Sequence, residues 1–344
     1  MSDDIPNANK ALVKRLCDAM YDFGETNVRA ELSNVLSPTC LVHMCHPFGD
    51  LHGPEALYDK VYRDLFHAIP DLERRDFIRV AGPSETQQQW VGCAGYYMGR
   101  FQRPWVGIPA TGQFISFRYH EFFRIEDGQV VEIQTVWDLP EWLHQINVWP
   151  MAPSLGRELQ VPGPASNDGV TCQSYDSQHS LNTRQHIIDM LTALVRHPSE
   201  GGPEVMLMDN FWHPKMNWYG PSGIGTCRGV QGFRQWHQIP FLKAMPDRGQ
   251  FPDEVELHFF AEGNYAAVTG WPNMAQTLSH DGWLGLAANA QKIYLRSLDF
   301  WRVEKGLIRE NWVLVDLMDV YDQLGIDVLS RAREVAQTRM PREM

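Results

Sequence analysis

Residues 120–148 read HEFFRIEDGQVVEIQTVWDLPEWLHQINV, and residues 298–326 read LDFWRVEKGLIRENWVLVDLMDVYDQLGI. Placed side by side without a gap, the two stretches share eight identical residues among 29 pairs. Many of the other pairs are conservative, such as Ile125 with Val303. A single register kept over this length indicates that the chain contains two copies of one unit.

The correspondence continues upstream of these stretches. Residues 35–71 match residues 211–247 without a gap, at an offset of 176. Further along, Trp105 matches Trp283 at an offset of 178, which is also the offset of the quoted stretches. The repeat therefore covers most of each half of the chain, and we interpret the protein as a tandem duplication.

Residues 151–180 separate the two copies. They are rich in Pro, Gly, Ser and Asn and lack a sustained apolar period, which is typical of a linker. A linker of this length is expected to lie along the surface. We therefore predict a first domain at 1–150, the linker at 151–180, and a second domain at 181–344 that ends in a tail.

Periodicity predicts the same order of elements in both copies. Helices are expected near 7–23 and 183–197, where apolar residues recur at helical spacing. Residues 114–125 alternate between apolar and polar, and the turn at Gly128 leads into a second alternating run, which predicts a β-hairpin. Each copy is thus predicted to be α+β: a helix, a strand, a helix, and then several antiparallel strands.

Composition excludes several classes of partner. The formal net charge is −12, which argues against a nucleic-acid or an anionic-membrane partner. The sequence contains no apolar run long enough to span a membrane, and its acidic start is unlike a signal peptide. Six irregularly spaced cysteines do not form a disulfide framework, so a reducing cytoplasm fits best.

The order of these features resembles the SnoaL-like polyketide cyclases (ester cyclases), within the broader nuclear transport factor 2-like fold. The resemblance rests on these motifs: Ser37-Pro38 and His213-Pro214 before the first strand, Ile69-Pro70-Asp71-Leu72 and Met245-Pro246-Asp247 after the second helix, and Phe123-Arg124-Ile125-Glu126-Asp127-Gly128 in the hairpin. It implies two tandem cone-shaped, curved antiparallel sheets, each closed by N-terminal helices and enclosing a small-molecule pocket. Because family members dimerise through their outer sheet faces, the copies are expected to pack as an internal pseudo-dimer. Association of two whole chains into a homodimer is a further alternative.

The resemblance also implies a reaction and a catalytic pair. The family's cyclases close a ring by an intramolecular aldol condensation that needs no cofactor and no metal. The motif places a His seven residues before the hairpin glycine and an Asp seven residues after it. Here those positions hold Glu121 and Thr135 in the first copy, and Asp299 and Val313 in the second, so neither copy keeps the pair.

Glu121 and Asp299 are the candidate catalytic residues. Each is the single acid in an otherwise apolar row of an alternating strand, on the face expected to line the pocket. Burial raises the pKa of a carboxyl group, which suits a general acid or base near neutral pH. The alternative is that each acid is structural and pairs with an arginine. For Asp138 and Asp316 we predict helix capping rather than catalysis.

Other side chains are candidates for binding a small apolar ligand. They are polar or aromatic residues expected to face the pockets: His43, Tyr119, Thr135, Trp137, Trp105, Tyr219, Trp218, Trp301 and Trp283. The group Cys40, His43, Cys45 and His46 matches no zinc spacing, and strand alternation divides its side chains between two faces, so no metal site is expected.

Three interpretations of function stay open at this point. The protein acts as a cyclase or isomerase by cofactor-free proton transfer on an apolar, polyketide-like carbonyl compound. Alternatively, it is a non-catalytic module that binds a small molecule, or one copy is active and the other completes the dimer. The pocket itself discriminates between them: an open, acid-lined pocket favours an enzyme, and a pocket filled by its own aromatic side chains favours a structural copy.

Overall fold

The computed structural model describes residues 4–170 and 174–339. The first copy folds into these elements: α1 (Asp4–Tyr21), α2 (Glu25–Val35), β1 (Leu36–Met44), β2 (Gly49–His52), α3 (Gly53–Leu57), α4 (Arg63–Ala68), β3 (Glu73–Pro83), β4 (Gln89–Arg100), β5 (Phe114–Glu126), β6 (Gln129–Trp137) and α5 (Leu139–Gln145). A π-helical turn joins α3 to α4.

The second copy repeats this order. Its elements are α6 (Ser177–Leu194), α7 (Met208–Phe211), β7 (Trp212–Tyr219), β8 (Thr226–Arg228), α8 (Gly229–Phe233), α9 (Ile239–Ala244), β9 (His258–Glu262), β10 (Tyr265–Thr269), β11 (Met274–Thr277), β12 (Lys292–Leu295), β13 (Ser297–Glu304), β14 (Leu307–Val315), α10 (Leu317–Gln323) and α11 (Val328–Arg339). The tail of the expected second domain beyond residue 339 lies outside the described residues.

The two copies have the same sheet topology. The first sheet has the strand order β2-β1-β6-β5-β4-β3, and the second has β8-β7-β14-β13-β10-β9. Neighbouring strands are antiparallel, except for the parallel pairs β1–β6 and β7–β14. A separate ribbon, β11–β12, extends the second copy. The prediction of two tandem α+β domains, each opened by N-terminal helices, is confirmed.

The predicted hairpin is present in both copies. The turn residues Asp127 and Gly128 both have left-handed backbone conformations, with φ values of 48° and 77°. Lys305 and Gly306 repeat this conformation at 53° and 78°. A tight turn with two left-handed residues matches the twist of the strands that it joins, and glycine adopts it without strain.

Helices cover one face of each sheet. α1 packs against β3 and β4, and α6 packs against β9 and β10. The predicted apolar stripe of α1 is buried at Leu16 and Met20. The concave face of each sheet thus lies beneath helices, which leaves the opposite face free for packing between the copies.

The outer faces of the two sheets pack against each other. Phe122 stacks on Phe300 across the interface, with ring centroids 5.0 Å apart. The Arg118 guanidinium donates hydrogen bonds to the backbone carbonyls of Tyr219, at 3.1 Å, and of Val313, at 3.0 Å. The copies therefore form the internal pseudo-dimer that the fold implied.

Two aspartates make matching contacts at this interface. Asp138 accepts a hydrogen bond from the Glu141 N–H of its own helix, at 3.2 Å, and one from the Ser222 N–H of the other copy, at 2.9 Å. Asp316 does the same with its own helix α10, at 3.1 Å, and with the His46 N–H, at 2.9 Å. The predicted capping role of both aspartates is confirmed.

The linker packs against both copies. The Trp312 indole N–H donates to the Pro162 carbonyl at 3.0 Å, and the Val161 N–H donates to the Tyr96 hydroxyl at 2.7 Å. Helix α6 begins at Ser177, four residues before the expected start of the second domain. The described part of the linker thus contacts both copies.

Cutting the linker tests the pseudo-dimer. A protease site placed at Asn167, which is exposed, should leave the two halves associated, because the buried aromatic and arginine contacts do not depend on chain continuity. The measurement is size-exclusion chromatography of the nicked protein at micromolar concentration. Elution as two separate fragments would contradict the prediction.

Candidate functional site

The second copy encloses a cavity of about 490 Å³ between its helices and its sheet. Its walls are mainly apolar, and their aromatic side chains include Trp212, Trp218, Phe233, Phe241, Trp283 and Trp301. Small-molecule sites in proteins have volumes of about 300–1,000 Å³ and similar apolar walls. The cavity is therefore large enough to enclose a small organic ligand.

Side-chain size decides which copy holds the cavity. In the first copy, Tyr119 on β5 lies opposite Trp137 on β6, and both are buried. At the same places the second copy has Ser297 opposite Val315, and both line the cavity. Replacing a phenol ring and an indole ring by a hydroxymethyl and an isopropyl group leaves space that no neighbouring side chain fills.

A strand of the first copy is partly replaced by a loop in the second. β3 begins at Glu73 and pairs with β4 along its whole length. Its counterpart β9 begins only at His258, and several residues of the preceding loop at 248–257 line the cavity. This loop takes the place of the first part of β3, the part that carries Arg74 in the first copy.

That arginine occupies the interior of the first copy together with Glu121. Glu121 is 1% exposed and forms an ion pair with Arg74. The Tyr97 hydroxyl and the Trp137 indole N–H each donate to the Glu121 Oε1 at 3.2 Å. Arg74 also pairs with Asp76 at 2.9 Å. Both carboxylate oxygens of Glu121 are thus held by protein groups.

Asp299, the counterpart of Glu121, has a different environment. It lies on the cavity wall, partly exposed, and accepts a hydrogen bond from the Ser297 hydroxyl at 2.8 Å. Burial raises the pKa of Asp299 to about 7, although the Ser297 hydrogen bond and the charge of Arg248 oppose the rise. Near neutral pH this carboxyl group can both accept and donate a proton.

Among the other polar side chains that line the cavity are His237, Arg248 and Gln276. The His237 ring stacks on Trp218 at 4.0 Å, and burial lowers the His237 pKa to about 3. Arg248 lies close enough to influence both His237 and Asp299 electrostatically. Gln276 is fully buried, and neither of its side-chain polar atoms has a partner among the described residues.

These three residues were not predicted from the sequence. A signal was present for two of them, because His237 and Arg248 align with Val61 and Leu72 at the offset of 176. Both partners are buried apolar residues of the first copy. A change from apolar to ionisable at a core position of a duplicated fold would have pointed to an altered interior. Gln276 follows an insertion, where the alignment is lost.

Comparison with known proteins gives the family. A family model for SnoaL-like polyketide cyclases matches residues 11–146 and 202–324, which make up more than half of the chain. The chain belongs to the SnoaL-like polyketide cyclase family. It carries the family's domain twice, once in each copy.

Similar solved structures each cover about one copy. One is a candidate SnoaL-like polyketide cyclase from Jannaschia sp. CCS1, with 23% identity over 39% of this chain and 88% of that chain, and a TM-score of 0.35. Another is IdmH, a candidate polyketide cyclase from Streptomyces antibioticus, with 20% identity over 40% of this chain and 98% of that chain, and a TM-score of 0.35. No curated protein matches the sequence.

One further finding concerns the helices. Among those that the structure describes, none is long and apolar enough to cross a membrane.

The SnoaL-like family's catalytic positions lie next to each other in both copies. Glu121 pairs directly with Thr135 across the first hairpin, and Asp299 pairs with Val313 across the second. The acid in each copy therefore occupies the position that the family gives to its histidine. In the second copy both positions face the cavity.

The predicted ligand-binding residues fall into two interiors. Trp218, Trp283 and Trp301 line the cavity of the second copy with Asp299. In the first copy the predicted residues lie in the filled interior, where they pack together: Trp105, Tyr119, Thr135 and Trp137. Whether the tryptophans of the second copy bind a ligand stays a prediction.

His43 and Tyr219 do not face either interior, which corrects their expected placement. His43 pairs with Asp50 at 2.8 Å and stacks on Trp271 of the second copy. The Tyr219 ring packs 5.5 Å from that of Trp312 on the outer face. Alternation along each first strand sends the neighbouring side chain inward instead, and for the second copy that neighbour, Trp218, lines the cavity.

Within the described residues, one group of potential metal ligands comes together: Cys17, Asp76 and Cys93. It does not include Cys40, His43, Cys45 or His46, the group considered from the sequence. Asp76 already forms ion pairs with Arg74 and Arg79, whose positive charges oppose the binding of a cation. The chemistry of this group therefore does not favour a metal.

The contrast between the two acids predicts opposite effects on stability. Glu121→Gln should lower the free energy of unfolding by about 2–4 kcal/mol, because it leaves the buried Arg74 partly unpaired. The matched substitution in the other copy, Asp299→Asn, should not lower it, since Asp299 has no ion-pair partner within salt-bridge distance among the described residues. Urea unfolding followed by tryptophan fluorescence measures both, and equal losses would contradict the prediction.

The raised pKa of Asp299 makes stability depend on pH. The folded-state value of about 7 lies above the ordinary 3.8, so the folded protein holds this proton more tightly and loses that stabilisation as pH rises towards 7. Asp299→Asn should therefore stabilise the protein relative to wild type by about 1–2 kcal/mol above pH 8, and by progressively less as the pH falls to 4. The exposed Asp253, changed to Asn, is the control and should show no such trend. A pH-independent effect at Asp299 would rule the idea out.

Proposed function

We propose that the second copy is a cofactor-free proton-transfer site for an apolar, polyketide-like carbonyl compound, of the cyclase or isomerase type. In this proposal the first copy is a structural partner. The observation that carries it is the position of Asp299, a carboxyl group with a pKa of about 7 on the wall of a 490 Å³ cavity.

Asp299 has the properties of a general base in such a site. A carboxylate whose pKa lies near the working pH combines a sizeable ionised fraction with useful basicity. The apolar walls exclude most water, which strengthens the pull of the carboxylate on a proton. The Ser297 hydroxyl, which bonds one oxygen at 2.8 Å, fixes the orientation of the carboxylate.

The reaction follows from this geometry in two steps. Asp299 takes a proton from the carbon next to a carbonyl group, and the electron pair of that C–H bond becomes an enolate. In an isomerase, the protonated Asp299 returns the proton to a different carbon. In a cyclase, the enolate carbon attacks a second carbonyl of the same molecule, and the proton passes to the new alkoxide. Neither route needs a redox partner.

In the described part of the first copy, buried side chains occupy the interior where this chemistry would take place. Its acid, Glu121, is held by Arg74, Tyr97 and Trp137, and the aromatic side chains around it fill the interior. The first copy contributes its outer sheet face, against which the second copy packs. This supports a division in which one copy is active and the other structural.

A second candidate function is binding without catalysis. It is favoured by Val313, an apolar residue at the position where the family motif has its catalytic aspartate. A protein of this kind would use the cavity to hold an apolar ligand, and Asp299 would only orient it.

A chromogenic proton-transfer probe separates the two candidates. The ring opening of 5-nitrobenzisoxazole begins with removal of a proton from carbon, and its product is a coloured phenolate. We expect wild-type protein to accelerate this reaction, with a rate that rises with pH to a plateau above about pH 7. Asp299→Asn should remove at least about 100-fold of the acceleration.

The matched control for this experiment is Glu121→Gln, which should leave the rate unchanged wherever the protein is folded. If wild type and Asp299→Asn have the same rate, the catalytic proposal fails. Mass spectrometry of small molecules that co-purify with the protein would then identify the ligand of a binding module.

A further inference from the structure

The polar side chains of the cavity differ in how many of their hydrogen-bonding atoms have a partner. Asn273 is fully engaged, because its amide exchanges hydrogen bonds with the backbone of Ser297. Among the described residues, neither side-chain polar atom of Gln276 has a hydrogen-bond partner, and the Trp301 indole N–H has none either. Buried polar groups in native proteins are nearly always bonded, so unused donors on a cavity wall point to a ligand that completes them.

Arg248 differs from the buried arginines of this protein in how its positive charge is balanced. The buried arginines Arg74 and Arg302 are paired, Arg74 with two carboxylates and Arg302 with Glu310. Arg248, by contrast, is partly exposed on the cavity wall. Within the described part of the chain, no carboxylate lies within salt-bridge distance of Arg248, and no side-chain hydrogen bond satisfies it. Its guanidinium instead lies 5.9 Å from the centre of the Phe241 ring.

The neighbouring ionisable groups do not neutralise Arg248. His237, Arg248 and Asp299 are the ionisable residues on the described cavity wall. His237 is neutral at physiological pH because burial lowers its pKa, and Asp299 is only partly ionised because burial raises its pKa. One positive charge therefore faces the cavity with less than one negative charge to balance it.

We infer that this cavity is selective for aromatic or polycyclic molecules that carry a single negative charge, and that Arg248 pairs with that charge. A carboxylate, a sulfonate or an ionised enol would serve equally, since each presents an oxygen anion to the guanidinium. The apolar walls take the rings, and the unused N–H groups of Gln276 and Trp301 are available to further oxygens. The inference rests on the proposed function in placing the ligand in this cavity, and it adds the ligand's charge.

A pair of fluorescent probes tests the role of charge. 8-Anilino-1-naphthalenesulfonate is an aromatic anion, and N-phenyl-1-naphthylamine has the same rings without the sulfonate. We expect Arg248→Met to weaken binding of the anion by at least about tenfold, and to change binding of the neutral probe by less than about twofold. Arg248→Lys, which keeps the positive charge, should retain most of the affinity for the anion.

A second variant locates the probes. Val313→Phe adds bulk to the cavity wall directly opposite Asp299 and should weaken binding of both probes. The inference is overturned if Arg248→Met affects both probes equally or neither, or if Val313→Phe leaves binding of the anion intact. Thermal melting confirms that each variant is folded.

This test is independent of catalysis. Probe binding requires no proton transfer, and 5-nitrobenzisoxazole, the substrate of the activity test, carries no charge. Loss of the Arg248 effect would leave a role for Asp299 untouched, and an inactive Asp299 would leave anion binding by Arg248 untouched.

Discussion

Two aspartates, Asp138 and Asp316, connect the two copies. Each uses one carboxylate oxygen to cap a helix of its own copy and the other oxygen to accept a hydrogen bond from the other copy. Asp138 and Asp316 stand where the last strand of each copy turns into a helix, and each caps its own helix while accepting a backbone N–H, of Ser222 or His46, from the other copy. Each of these side chains thus serves both the strand-to-helix corner of its own domain and the contact between the copies. Burial at this junction raises the pKa of Asp138 to about 6 and that of Asp316 to about 7.

In this arrangement the outer faces of both sheets form the contact between the two copies. With those faces packed against each other, the interior beneath the helices is the remaining place where a sheet can enclose a ligand. The two interiors have diverged under that constraint. The first is filled by Tyr119 and Trp137 and by the buried pair of Arg74 and Glu121, whereas the second has kept an open space.

Much of the fold could be predicted from local pattern. The hairpin follows from alternating strands around Gly128 and Gly306, and its alternation correctly directs Glu121 and Asp299 inward. The same reasoning misplaced His43. β1 is a strand whose orientation is set by its parallel pairing with β6, and that pairing joins segments far apart in sequence. Local alternation gives two opposite faces, but only the partner strand decides which of them faces inward.

The sequence by itself determined that there are two copies of one α+β domain and that each carries an acid at the same inward position. The copy number follows from comparing the two halves of the sequence, and the inward position of the acids follows from the local alternation of the strand. Only the tertiary structure decided which groups surround Glu121 and Asp299. Glu121 is bound by Arg74, which is 47 residues away along the chain, while Asp299 faces a cavity that is walled in part by the loop at 248–257, about 50 residues away along the chain. Contact partners and empty space are set by packing among distant segments, and no local pattern records them.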